Sequence, residues 1–311
     1  MVLRGVNEMF SISTDPTGMR TMPEIARTGA NAVRIFTLPD YPAERLDAIL
    51  AHAVANGLIP IVECHAATGK WDRLGVCVDY WTRPDIVAVL RRNRRWTLVN
   101  IANEAGETVS RDRFIAGYLD AIMRIRAAGV DTPLIIDGTD WGKEYAMLLD
   151  SWPVSQRADP RHAIMVSAHS YWVGTEEERK APYRAIIAKV TRDNIPFFLG
   201  EGPTGTGWDC KPSPYRWAMT ALQNAQIGWL AWSWGWYPMA IVTRPTATTS
   251  RPGAFWAVEV ALWPAVDGPA PCQRASIVAT ALFNCQGRVK LYRGLVAHLR
   301  HNLIRSWAPT G

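Results

Sequence analysis

From residue 2 to about residue 233, short apolar runs alternate with longer stretches in which apolar residues recur every three or four positions. A run of about four to eight apolar residues closed by turn formers reads as a buried strand, and a recurrence of about 3.6 residues reads as a helix with one buried stripe. The runs predict strands near 2–7, 31–37, 58–63, 96–102, 133–137, 163–168, 196–200 and 228–233. Helices are predicted between them at about 21–29, 43–56, 79–93, 111–128, 143–151, 176–192 and 214–225, with Gly29, Gly57 and Gly129 where a helix stop belongs. Such alternation argues for a parallel sheet with crossover helices, and eight strands close it into a (β/α)8 TIM barrel. After residue 233 the pattern weakens. Residues 255–262 read as a last barrel helix, and Val289, Tyr292, Leu295, Val296, Leu299 and Leu303 recur at helical spacing among basic residues. Residues 265–287 carry no assignable pattern. The expected organisation is a barrel domain over 1–264 and a C-terminal extension over 265–311, packed on it as a helix.

The informative positions are the polar ones that interrupt this pattern. Glu104 closes the run that starts at Trp96, and Glu201 closes the run that starts at Ile195. An unpaired buried charge costs several kcal/mol, so packing alone does not end an apolar strand on a carboxylate. A third run, from Met165, ends on His169 and Tyr171, and His65 ends the third strand. Parallel barrels gather functional groups at the carboxyl ends of their strands, so these ends can converge on one pocket. Two facing carboxyl groups are the equipment of glycoside hydrolysis: one donates a proton to the leaving oxygen, and the other, ionised, attacks the sugar. Strands four and seven lie across the barrel from each other, which assigns those roles to Glu104 and Glu201. Asn103, beside Glu104, is placed to bond a sugar hydroxyl. Arg34, inside the second strand, needs an anionic partner. Glu201 is the first candidate, which would lower that carboxyl's pKa, and another acid at the rim is the alternative. Tyr171 can donate to the same carboxylate. His65 and His169 read as hydrogen-bond partners of substrate or carboxylate. No His-x-His pair ends a strand, which counts against a metal-dependent barrel, and neither a metal nor another cofactor is expected.

Composition adds a substrate class and removes others. Fifteen tryptophans among 311 residues exceed what a core absorbs, because Trp is rarely fully buried, and several are expected to line a groove where sugar rings stack. The last strand sets Trp232 and Trp234 near the mouth. The net charge of +6 is concentrated in the tail, where Arg274, Arg288, Lys290, Arg293, Arg300 and Arg305 face Asp267 alone, leaving +1 for the barrel. A near-neutral barrel suits an uncharged polysaccharide, and the basic tail reads as a solvated helix face rather than a nucleic-acid site. No apolar stretch reaches the roughly 18 residues of a membrane span. No leader is visible before the first strand, so the chain is expected either to be a trimmed secreted protein or to stay inside. Cys64, Cys77, Cys210, Cys272 and Cys285 form no zinc pattern. Cys64–Cys77 and Cys272–Cys285 are the closest pairs, and both bridges and free buried thiols stay open.

Taken in order, Arg4-Gly-Val-Asn7, Val33-Arg34-Ile35, Ile61 to Gly69 with His65, Val78-Asp-Tyr-Trp81, Val99 to Glu104, His169-Ser-Tyr171, Leu199-Gly-Glu201 and Gly228 to Trp234 resemble glycoside hydrolase family 5, over residues 1 to about 240. Within it the chain is most similar to bacterial endo-β-1,4-mannanases. The resemblance implies a secreted, retaining, monomeric polysaccharide hydrolase that acts on mannan, glucomannan or β-glucan. It implies Glu104 as acid/base, Glu201 as nucleophile, Asn103 as partner of the 2-hydroxyl, Trp232 as sugar platform, and Arg34, His65, His169 and Tyr171 as supporting shell. Two departures touch the groove: Ala66 stands where related mannanases often have Asp, and Gly-Trp-Tyr-Pro follows Trp234 in place of Lys-Gly. A β-1,4-glucanase, or a binding barrel without catalysis, are the competing expectations.

Overall fold

The computed structural model describes residues 2–13, 15–203 and 211–234. Eight parallel strands close into a barrel in chain order, with β1 paired to both β2 and β8. They are β1 (Arg4–Glu8), β2 (Ala32–Thr37), β3 (Ile59–Cys64), β4 (Leu98–Asn100), β5 (Leu134–Asp137), β6 (Ile164–His169), β7 (Phe197–Pro203) and β8 (Gly228–Trp232). Around them run α1 (Thr21–Arg27), α2 (Ala43–Ala55), α3 (Leu74–Thr82), α4 (Pro84–Arg92), α5 (Arg111–Ala127), α6 (Ala146–Ala158), α7 (Glu176–Asp193) and α8 (Tyr215–Asn224).

Each predicted strand is present, and two helix predictions change. The single helix expected over 79–93 is two, α3 and α4, because Arg83 precedes Pro84. The Pro ring disfavours the helical conformation at the residue before it, so Arg83 is extended (ψ 134°) and α4 restarts with Pro at its first turn. The helix expected over 143–151 begins later and continues to Ala158. The helix expected at 255–262 and the extension 265–311 lie outside the described residues. Among the described residues no helix is long and apolar enough to cross a membrane.

Side chains two apart on a strand share a face, and this rule divides the barrel interior into layers. The lower layer is apolar: Leu3, Ala32, Ile61, Ile135, Phe198 and Leu230 pack together, with Leu98 and Met165 against them. Two residues further along, the same face turns polar: Ala32 leads to Arg34, Ile61 to Glu63, Leu98 to Asn100, Ile135 to Asp137 and Met165 to Ser167. All five of these polar residues are buried. The outer core lies between strands and helices. Trp81, one of its largest members, is fully buried and donates its indole N–H to the Ile101 carbonyl at 2.8 Å. Cys64 at the end of β3 is bonded to Cys77 in α3.

Candidate active site

Arg34 is the hub of the mouth. Its guanidinium donates from Nη1 to Glu201 Oε1 at 2.8 Å and to Asn7 Oδ1 at 3.1 Å. From Nη2 it reaches Asn103 Oδ1 at 2.6 Å, Asn100 Oδ1 at 2.7 Å and Asp137 Oδ2 at 3.2 Å. A planar fork with five N–H donors can satisfy this many acceptors from different strands, which a point-like ammonium cannot. Both expected kinds of partner are therefore real, Glu201 and a second acid, Asp137. The surrounding carboxylates outweigh burial and hold the arginine charged.

Glu201 receives a second donor, the Tyr171 hydroxyl, on Oε2 at 2.7 Å. Glu104 stands not on a strand but four residues past the end of β4, in a left-handed backbone (φ 45°). That conformation is costly for a residue with a Cβ, and it turns the carboxylate back over the mouth. Two contacts hold the backbone there: Glu104 N–H donates to Asp137 Oδ2 at 3.3 Å, and its carbonyl accepts from Gly69 N–H at 2.9 Å. His169 joins the two glutamates, with Nδ1 at 2.6 Å from Glu104 Oε1 and 3.6 Å from Glu201 Oε1. Space for this fully buried ring comes from two glycines. A Cβ on Gly142 would lie 2.6 Å from the imidazole, and one on Gly200 would lie 3.0 Å from its Nε2. The result is one oxygen of Glu104, one nitrogen of His169 and one oxygen of Glu201 within 4.8 Å of one another.

Electrostatics divide the protons unevenly. Burial alone would lower His169, yet Glu201, Asp137 and Glu104 raise it to about 9. Burial pushes Glu104 up, but the hydrogen bond and charge of His169 prevail and hold it below the ordinary glutamate value. For Glu201 burial prevails and pushes the carboxyl up, against the pull of His169, Arg34 and Tyr171. The expectation that Arg34 lowers Glu201 thus holds as one contribution that desolvation outweighs. Glu104 and His169 are the two ends of one 2.6 Å bond, across which a single proton can pass. Shifting it from nitrogen to oxygen turns the pair from carboxylate and imidazolium into carboxylic acid and imidazole.

The sequence profile of the cellulase family, glycosyl hydrolase family 5, matches residues 3–237. The chain belongs to glycoside hydrolase family 5. Among similar proteins is a mannan endo-1,4-beta-mannosidase of Salipaludibacillus agaradhaerens, 29% identical over 241 residues that cover 75% of this chain and 76% of the relative. Another, from Cellvibrio japonicus, is 28% identical, and the match spans 75% of this chain but 55% of the relative. Of solved structures, the beta-mannanase of Streptomyces thermolilacinus superposes with a TM-score of 0.67 at 24% identity, covering 76% of this chain and 80% of that one. A likeness at that identity shows the barrel. This family-5 chain is accordingly a glycoside hydrolase.

The family-5 barrel brings six of the residues singled out from sequence, Arg34, Asn103, Glu104, His169, Tyr171 and Glu201, into one bonded network. His65 enters it through Glu63: its Nδ1 lies 2.9 Å from Glu63 Oε1. Trp232 ends β8 half-buried, and Trp234 donates its backbone N–H to the Asn7 carbonyl at 2.8 Å while packing on the outer core. Asn7, Glu63, Asn100 and Asp137 went unassigned in the sequence reading. For Glu63, Asn100 and Asp137 the signal was present as a polar residue two positions after an apolar one in the same strand, whereas Asn7 follows Gly5. Trp141 was missed too. It is 42% exposed, stands between left-handed Asp140 (φ 50°) and Gly142 (φ 74°), and packs on Gly69. Gly142 accepts the His169 N–H at 2.8 Å, which places this exposed ring beside the Glu104 side of the mouth. Glu104, His169 and Glu201 have the spacing of a metal triad, but Arg34 at 2.8 Å presents a fixed cation to Glu201, so the geometry favours proton sharing over a metal ion.

Proposed function

We propose that this protein is a retaining endo-β-1,4-mannanase in which Glu104 is the acid/base and Glu201 the nucleophile. The observation that carries the reading is the approach of the two carboxylates, within 4.8 Å between oxygens. Retaining glycosidases hold their carboxyl groups about 5–5.5 Å apart, whereas inverting ones need about 6.5–9.5 Å to admit a water between them. In the first step the shared proton moves onto Glu104 and from there to the glycosidic oxygen, while a Glu201 oxygen bonds to the anomeric carbon and the leaving sugar departs. In the second step the Glu104 carboxylate takes a proton from water, the water oxygen bonds to the anomeric carbon, and the Glu201 ester bond breaks. Positive charge developing on the sugar favours ionised Glu201 at the moment it is needed, offsetting the desolvation that raises it. Asn103 spends one amide hydrogen on Thr68 Oγ1 at 2.9 Å, which leaves the other for the 2-hydroxyl.

Mannan as the substrate rests on relatives named for it. One further relative, a beta-mannanase/endoglucanase of Caldicellulosiruptor saccharolyticus at 26% identity, supports β-1,4-glucan as the second reading. The Cys64–Cys77 bond favours an oxidising compartment and hence a secreted enzyme. Reducing-sugar release from galactomannan, glucomannan and carboxymethylcellulose tests the substrate, and the anomer first formed, read by proton NMR, tests retention. Cleavage of carboxymethylcellulose alone overturns mannan, and an inverted first product overturns double displacement with Glu201 as nucleophile.

A further inference from the structure

Glu63 is fully buried in the polar layer of the barrel. Its Oε1 meets His65 Nδ1 at 2.9 Å and lies 3.9 Å from Arg34 Nη1, while its Oε2 has no hydrogen-bond partner. A buried carboxylate left with so few bonds is costly to the fold and needs a local reason. Charge balance for Arg34 is a weak one, because Glu201 and Asp137 already contact that guanidinium at 2.8 and 3.2 Å. The bond to His65 is the closest contact Glu63 makes with a charged or titratable neighbour. The ring of His65 is also fixed from a second side, its centroid 3.8 Å from that of Phe36 at a 33° tilt. The His65 side chain retains 23% exposure at the mouth, and its Nδ1 edge is turned into the barrel toward Glu63. Its other ring nitrogen, Nε2, is the one free to meet a ligand.

We infer that Glu63 is a positioning residue that locks His65 in a single tautomer, with Nδ1 protonated, and so presents Nε2 to the substrate in a fixed role. A carboxylate accepts and does not donate, so beside Arg34 it admits a proton on Nδ1 in every state of the ring. In the neutral ring Nε2 is then an acceptor for a sugar hydroxyl, and in the charged ring a donor along the same line. A carboxylate set behind a histidine in this way is how proteins orient an imidazole that must act on something else. Glu63→Gln is nearly isosteric but removes the lock: an amide either accepts from Nδ1 or donates to it, so both tautomers become available.

The catalytic arm of the test rests on the hydrolase reading above, and the spectroscopic arm does not. Nitrogen-15 NMR of the full chain should find the neutral His65 ring with its proton on Nδ1 in the wild type, and a population protonated on Nε2 in Glu63→Gln. An Nε2–H tautomer in the wild type overturns the inference with no variant needed. On whichever of mannohexaose or cellohexaose the wild type cleaves, Glu63→Gln should lower kcat/KM about 10–100-fold, the scale at which a catalytic arrangement responds to displacement of about 1 Å. Through a double-mutant cycle the loss is traced to its route: in a His65→Ala background the Glu63→Gln change should cost less than about 3-fold, since the residue it acts through is gone. A full penalty that persists in that background shows that Glu63 acts through Arg34 or the fold and sinks the inference. If the wild type cleaves neither oligosaccharide, the mannan and glucan readings fail by themselves, and the tautomer measurement still decides the role of Glu63.

Discussion

Removing the imidazole of His169 tests whether the acid proton of Glu104 belongs to a pair. His169→Gln keeps a polar side chain of similar reach and takes away the group on which the proton rests. In the intact site the three carboxylates Glu201, Asp137 and Glu104 overcome burial and raise His169 from 6.5 to about 9. A shift of about 2.5 units is worth about 3 kcal/mol at about 1.36 kcal/mol per unit. The pair should therefore keep one proton up to about pH 9 and lose it above, which sets the alkaline limb of kcat/KM near that value. In the variant the proton has Glu104 alone to sit on, a carboxyl whose ordinary value is 4.5, and the limb should fall by more than about one unit.

Stability gives a second readout with a definite sign. The folded pKa of His169 lies above its unfolded value, so its contribution is complete below about pH 6.5 and is lost as pH rises through about 9. The difference in unfolding free energy between wild type and His169→Gln should accordingly shrink by about 3 kcal/mol from pH 6 to pH 10. The assays are kcat/KM against pH on a soluble oligosaccharide and urea denaturation across the same range. An alkaline limb unmoved in His169→Gln, or a stability difference flat from pH 6 to pH 10, refutes proton sharing.

Glu201→Ala should abolish nearly all turnover and recover it with azide as an inverted glycosyl azide, whereas absence of rescue in a folded variant would contradict a nucleophilic role. Replacing Cys64 and Cys77 together by Ala opens a loop of 13 residues, for which chain entropy gives a loss of about 3 kcal/mol and a melting point lower by about 5 °C; calorimetry that finds no change would show that the bond is dispensable. Glu8 is pushed up from 4.5 to about 8, chiefly by burial and then by Asp15, and its Oε2 has no partner. Folding thus favours its protonated form, stability should fall as pH rises through about 8, and Glu8→Gln should flatten that part of the curve of melting temperature against pH. Trp141→Ala should weaken cleavage of oligosaccharides by about 5–30-fold, as loss of one stacking platform of about 1–2 kcal/mol implies, with the melting point nearly unchanged because the ring is exposed; equal rates in variant and wild type would remove it from the groove.

The order of elements and the two glutamates were readable along the chain because each is a local property. A strand buried on both faces has to be apolar, so a carboxylate at 104 or 201 stands out against its own neighbours whatever the rest of the molecule does. The break at Arg83–Pro84 was local too and simply went unread. Closure of the barrel decided the rest. It set Arg34 against Glu201, 167 positions away, and against Asp137, 103 positions away, and no periodicity within a strand records which strands face each other across the interior. Closure also made one polar layer out of Asn7, Glu63, Asn100 and Asp137, which singly look like ordinary interruptions. It likewise chose Cys77 as the partner of Cys64 and placed Glu104 beyond its strand in a left-handed turn. The proton balance followed from the same closure, since burial and charge separations of about 3 Å exist only in the folded barrel, where desolvation raises Glu201 against Arg34 and three carboxylates hold a proton on His169.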